Sequence, residues 1–166
     1  MAMDKDKLFL KVWSDPKLFS KNFIKIINKA GEVVPFEWNE PQCYLWDNID
    51  KYNVIGKSRQ GGISTWVMSL CIWKAITQPY TTSVLYSHND ESTRNNWGKL
   101  KQMFDSVPDV LKPKLERNNR MEILLANGSS ISCACLGRKE KGRGASITGF
   151  VWLSELAFVD NETAQK

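Results

Sequence analysis

The octad Lys57-Ser58-Arg59-Gln60-Gly61-Gly62-Ile63-Ser64 constrains this chain more than any other stretch. A short apolar run, Tyr52 to Ile55, precedes it. A helix-like segment from about Ser64 to Thr77 follows, stopped by Pro79. A strand that enters a glycine turn and reopens as a helix points backbone N–H groups and the positive end of the helix dipole at one spot, an arrangement suited to phosphate. In the usual G-x-x-x-x-G-K-[ST] form a lysine neutralises the phosphates and a hydroxyl holds magnesium. Aligned on Gly62 and Ser64, the lysine position holds Ile63, while Lys57 occupies the first position of the octad. A lysine acts as a point charge on a long flexible stem, so Lys57 can serve the same oxygens from another anchor. The alternative is an ordinary Gly-Gly turn between surface charges.

At 166 residues and 42% hydrophobic content, the chain is long enough for one well-buried core. The net charge of +5 permits a polyanionic partner without demonstrating one, because acidic residues interleave with the basic ones and no long basic run occurs. Cys43, Cys71, Cys133 and Cys135 lack C-x-x-C spacing and His88 is the sole histidine, which suggests neither a zinc site nor a disulfide framework. A reduced, intracellular protein is expected. Met1 to Lys11 has no apolar core of signal-peptide type, and no apolar run approaches the roughly 18 residues of a membrane span.

Leu18, Phe19, Phe23, Ile24, Ile26 and Ile27 recur at helical spacing among lysines, predicting an amphipathic helix over Pro16 to Ala30. Residues 1–35 are therefore expected to form a helical lid or packing segment, and residues 36–166 the core. Pro41 is placed to open a helix over Gln42 to Asp50. Ser83 to Ser87 reads as a strand, followed by Asn89 or Asp90 as helix cap and a helix to about Ser106. Met121 to Ala126 and Ser129 to Cys135 flank Asn127-Gly128, a two-residue hairpin signal. Ile147 to Leu153 reads as a final core strand. Alternating strands and helices predict an α/β fold with a mostly parallel sheet between helices. Trp66, Trp73 and Trp97 fall on helix faces as core residues, and Cys133 and Cys135 read as packing residues on a strand.

The last strand ends Phe150-Val151-Trp152-Leu153-Ser154-Glu155, bringing a hydroxyl and a carboxylate to its C-terminal edge. Ligands bind at that edge in doubly wound sheets. In nucleotide hydrolases an acidic pair there holds magnesium and activates water; here Ser154 replaces the first acid, leaving Glu155.

Phe36, Pro41-Gln42, Ser58 to Ser64, Gly142-Arg143-Gly144 and Leu153-Ser154-Glu155-Leu156-Ala157-Phe158 together resemble the N-terminal ATPase domain of the large terminase subunit of tailed bacteriophages, over about residues 33–160. Some members of that family also carry the phosphate-loop lysine at the start of the octad. The resemblance implies an ASCE-type P-loop NTPase fold, incomplete at its C-terminus and without the nuclease domain. It implies ATP hydrolysis with Mg²⁺, coupled to movement of double-stranded DNA into a procapsid. Portal protein and small terminase subunit would be partners, with a homo-oligomeric ring in the full-length protein, in the host cytoplasm at the procapsid portal and away from membranes.

By the same resemblance Gln42 reads the adenine edge, and Phe36 or Tyr44 stacks on the base. Lys57 pairs with the β- and γ-phosphates, residues Ser58, Arg59, Gln60, Gly61, Gly62, Ile63, Ser64 and Thr65 form the cradle, and Ser64 ligates Mg²⁺. Glu155 orients and deprotonates the attacking water while Ser154 helps to place the metal. Arg59, within the loop, and Arg143, on a glycine-flanked turn, are alternative arginine fingers; Arg143 has the more mobile setting. The turn holding Arg143 also reads as a solvated basic loop with Arg138, Lys139 and Lys141. His88 and Arg94 fall where related motors sense nucleotide state, with a helix-capping or surface role as the alternative. Two further classes stay open: a helicase-type translocase, against which Ser154-Glu155-Leu156-Ala157 speaks, and a degenerate module that binds nucleotide or DNA without turnover.

Overall fold

The computed structural model describes residues 5–56, 61–119, 121–136 and 146–155. Helix α1 (Lys5–Ser14) leads into α2 (Pro16–Phe23), where Asp15 accepts hydrogen bonds from the amides of Lys17 and Leu18 and Pro16 sits at the start, a well-formed N-cap. The predicted helix over Pro16 to Ala30 stops at Phe23. Ile24 turns extended, and β1 (Lys25–Ile27) pairs antiparallel with β2 (Val33–Pro35). β-branched Ile26 and Ile27 gain more on a pleated ribbon than in a helix, and Asn28 and Gly31 close the turn.

Helix α3 (Glu40–Asp47) starts two residues before its predicted position. Asn39 and Gln42 cap it reciprocally: Asn39 Oδ1 accepts from the Gln42 amide and Gln42 Oε1 from the Asn39 amide, each at 3.0 Å. Helix α4 (Ile63–Thr77) is buried over most of its length, as its almost continuously apolar sequence requires. Phe19, Ile24 and Phe36 belong to the same hydrophobic core as Trp66, Ile72, Leu85, Leu100 and Ile131. Trp38 stacks edge-on against Trp46 and Trp66, Trp46 against Trp73, and Trp73 Nε1 donates to Trp13 O, which ties α1 and α3 to α4.

β3 (Thr82–Ser87) follows α4, and α5 (Asp90–Ser106) follows β3, with Asn89, one of the two predicted candidates, as its N-cap. β4 (Leu115–Asn119), β5 (Glu122–Leu125), β6 (Ser130–Cys135) and β7 (Val151–Leu153) complete a five-stranded sheet in the order β4-β5-β6-β3-β7. β3 is parallel to both β6 and β7, whereas β4, β5 and β6 form an antiparallel meander. The fold is thus α/β with a mixed sheet, where a mostly parallel one was expected. The Asn127-Gly128 hairpin joins β5 to β6 as predicted and dictates the antiparallel half.

Two strand expectations need correction. Tyr52 to Ile55 joins no ladder among the described residues, and Tyr52 and Val54 are fully or nearly fully exposed. An apolar run becomes a strand only where a neighbour satisfies its N–H and C=O groups. β7 is three residues long and lies at the sheet edge, with Val151 and Leu153 exposed and Trp152 turned inward, where a longer core strand was expected. No described helix is long and apolar enough to cross a membrane.

Candidate functional site

Helix α4 and strand β7 carry the two halves of the site that the sequence predicts. At the C-terminal end of α4, Ala75 O accepts from Asn127 Nδ2 and Gln78 O from Ser129 Oγ, both at 2.9 Å, and Thr81 N donates to the same Ser129 hydroxyl. These bonds fix that end at the amino edge of β3 and β6.

Gly62 forms the N-terminus of α4 in the left-handed conformation (φ +73°), and no side chain caps it. Gln42 Nε2 donates to Gly62 O at 3.1 Å, and Asn39 Nδ2 approaches Gly61 O at 3.4 Å. Because each peptide is planar and trans, carbonyls held toward α3 turn the amides of Gly62 and Ile63 the other way. Ser64 and Thr65 are half-buried in the first turn. Ile63 is buried in the core, which accounts for an apolar residue at the position that aligns with the usual lysine.

Parallel register positions the acidic end. Val84, Leu85 and Tyr86 pair with Val151, Trp152 and Leu153, and Ser154 N donates to Tyr86 O at 2.9 Å. Continued by two residues, this register sets Ser154 beside Ser87 and Glu155 beside His88. Ser154 is buried; Glu155 Oε2 lies 3.1 Å from His88 Nδ1, and the Glu155 side chain is 43% exposed. Glu155 also has a positive φ (+59°), an unfavourable conformation for a residue with a long side chain.

Two predicted roles do not fit this arrangement. Phe36 is 3% exposed within the core and offers no face to a base, whereas Tyr44 is 65% exposed. Gln42 is 2% exposed, and both ends of its carboxamide are engaged, Oε1 with the Asn39 amide and Nε2 with Gly62 O. Each end keeps one further hydrogen-bonding site, but the side chain is buried, and the two bonds it makes brace the glycine turn. Lys57, Ser58, Arg59, Gln60 and Arg143 lie outside the described residues. Asn39 and the His88 contact with Glu155 were not anticipated. An Asn-x-x-Gln spacing is a capping-box signal that would have revealed Asn39, whereas only strand register reveals the other.

For magnesium the available donors are the hydroxyls of Ser64 and Ser154 and the carboxylate of Glu155, hard oxygens of the kind Mg²⁺ accepts beside water and phosphate. Among the described residues no three His, Cys, Asp or Glu side chains are grouped to hold a metal unaided. A comparison with protein-family models finds none that matches the chain, and a search of curated proteins likewise finds no match.

Proposed function

We propose that this chain is an ATP-hydrolysing P-loop module of large-terminase type, coupling hydrolysis to movement of double-stranded DNA. Two observations support the reading: an uncapped, dipole-bearing α4 N-terminus behind a braced glycine turn, and a buried hydroxyl followed by a carboxylate at the end of β7. In this reading the amides of Gly61 to Ser64 cradle the phosphates and Lys57 supplies the cation that Ile63 does not. Glu155 orients and accepts a proton from the attacking water. Ser64, Ser154 and Glu155 would hold Mg²⁺, which neutralises charge on the phosphates when bound. Arg59 or Arg143 stabilises the developing charge, and Tyr44 takes the base-stacking role. The portal protein, a small terminase subunit and further copies of the chain are the partners this function calls for.

The decisive experiment measures ATP binding and hydrolysis by the wild type, Lys57→Ala and Glu155→Ala. Weakened binding in the first variant and retained binding with lost turnover in the second are expected. A nonzero rate that neither substitution changes would show that the wrong residues have been assigned. A second reading, a nucleotide-binding module without turnover, is favoured by the burial of Ile63 and by the pairing of Glu155 with His88. Tight ATP binding with no wild-type hydrolysis selects it.

A further inference from the structure

The sole histidine stands at the junction of β3, β7 and α5, and its ring protonation is legible from its neighbours. Asn89 caps α5 by accepting from the Ser92 amide at its Oδ1, 2.8 Å away. That bond settles the orientation of the carboxamide, so the atom 2.8 Å from His88 Nε2 is Asn89 Nδ2, a donor only. Nε2 must then be the acceptor, which places the ring proton on Nδ1. Nδ1 is shielded from water, and Glu155 Oε2 is beside it at 3.1 Å. The contact is close without being an aligned hydrogen bond. A small turn of the half-exposed carboxylate aligns it.

We propose that His88, held as the Nδ1–H tautomer by the N-cap of α5, is a positioning residue for the Glu155 carboxylate. The helix cap orients Asn89, Asn89 selects the tautomer, and the tautomer presents a donor rather than a lone pair to Glu155. The same helix is joined to the end of β3 by Asn96 Nδ2, which donates to the buried Ser87 hydroxyl at 2.9 Å. A displacement of the start of α5 therefore reaches Glu155 through the imidazole. This inference rests on the hydrolase reading for its catalytic consequence, though not for the contact itself.

Because the chain has one histidine, long-range ¹H–¹⁵N spectra of the uniformly labelled protein report on this ring alone. The wild type should show a protonated Nδ1 and an unprotonated Nε2. Asn89→Asp retains a side chain that caps α5 but offers Nε2 only acceptors; it should gain a proton on Nε2 with helical circular dichroism unchanged. Glu155→Gln should shift the Nδ1 resonance. A wild-type Nε2–H tautomer, or an Nδ1 resonance indifferent to Glu155→Gln, overturns the proposal. In turnover assays His88→Gln, which keeps one donor and one acceptor, should retain most of kcat. His88→Phe should lose about tenfold or more in kcat with KM little changed, the pattern of a misplaced catalytic group. An unaltered kcat in His88→Phe also overturns the proposal. The predicted spectra in a wild type that hydrolyses no ATP would support the positioning contact and defeat the hydrolase reading instead.

Discussion

Gly62→Ala probes the joint between α3 and the glycine turn. Gly62 has φ +73°, where an L side chain costs about 1–2 kcal/mol. An added Cβ would also lie 2.8 Å from Gln42 Nε2, closer than real contacts allow, with Asn39 Nδ2 at 3.9 Å. Gln42 is buried and must shift, giving up its bond to Gly62 O and straining the capping bond to the Asn39 amide; at about 1 kcal/mol each this adds about 1–2 kcal/mol. The total is roughly 3 kcal/mol, or about 1.5 M in urea midpoint for a slope near 2 kcal/mol/M. Urea unfolding of wild type, Gly62→Ala, Gln42→Ala and the double variant separates the two causes. The strain persists without Gln42 but the collision does not, so Gly62→Ala should cost about 1–2 kcal/mol less in the Gln42→Ala background. Additive effects, or a single variant within about 0.5 kcal/mol of wild type, would refute the argument that Gln42 braces this turn.

Gly149 sits where an added Cβ would strike the Ser83 hydroxyl and come 2.8 Å from Thr82 O, so Gly149→Ala should loosen β7; faster amide exchange at Ser154, whose N–H bonds to Tyr86 O, is the measurement. Burial pushes the Cys71 thiol from its ordinary 9.0 up to about 12. Between those values the unfolded chain has ionised at this position while the folded chain keeps its proton, so stability falls as pH rises and is unaffected below pH 9. Going from about pH 8 to about pH 10.5, wild type should lose roughly 2 kcal/mol more than Cys71→Ala in urea unfolding, and parallel losses would contradict the assignment. Glu155→Gly should relieve the positive φ and stabilise the fold by about 1 kcal/mol while abolishing turnover; a clear loss of stability would show that the left-handed conformation carries no strain.

Local chemistry made much of this legible in advance. The span of α4 follows from a largely apolar run between Gly62 and Pro79, the start of α5 from the cap candidates Asn89 and Asp90, and the β5–β6 hairpin from Asn127-Gly128, each a consequence of residues adjacent in the chain. Periodicity failed where two structures share a pattern. Ile24, Ile26 and Ile27 fit a helical stripe, yet pairing with Val33 to Pro35 made the latter two part of a ribbon. Tyr52 to Ile55 has strand composition and finds no ladder among the described residues.

The candidate site divides along the same line. From the sequence alone came the glycine turn, the hydroxyl at Ser64, and Ser154-Glu155 at the end of an apolar strand, because each is a local signature of residue type and order. Tertiary structure decided which side chains are available. It buried Phe36 and Ile63, engaged both ends of the Gln42 carboxamide, and set Glu155 against His88 through a register that no local pattern encodes. Propensity acts between neighbours in sequence, whereas burial and partnership depend on what the rest of the chain brings alongside.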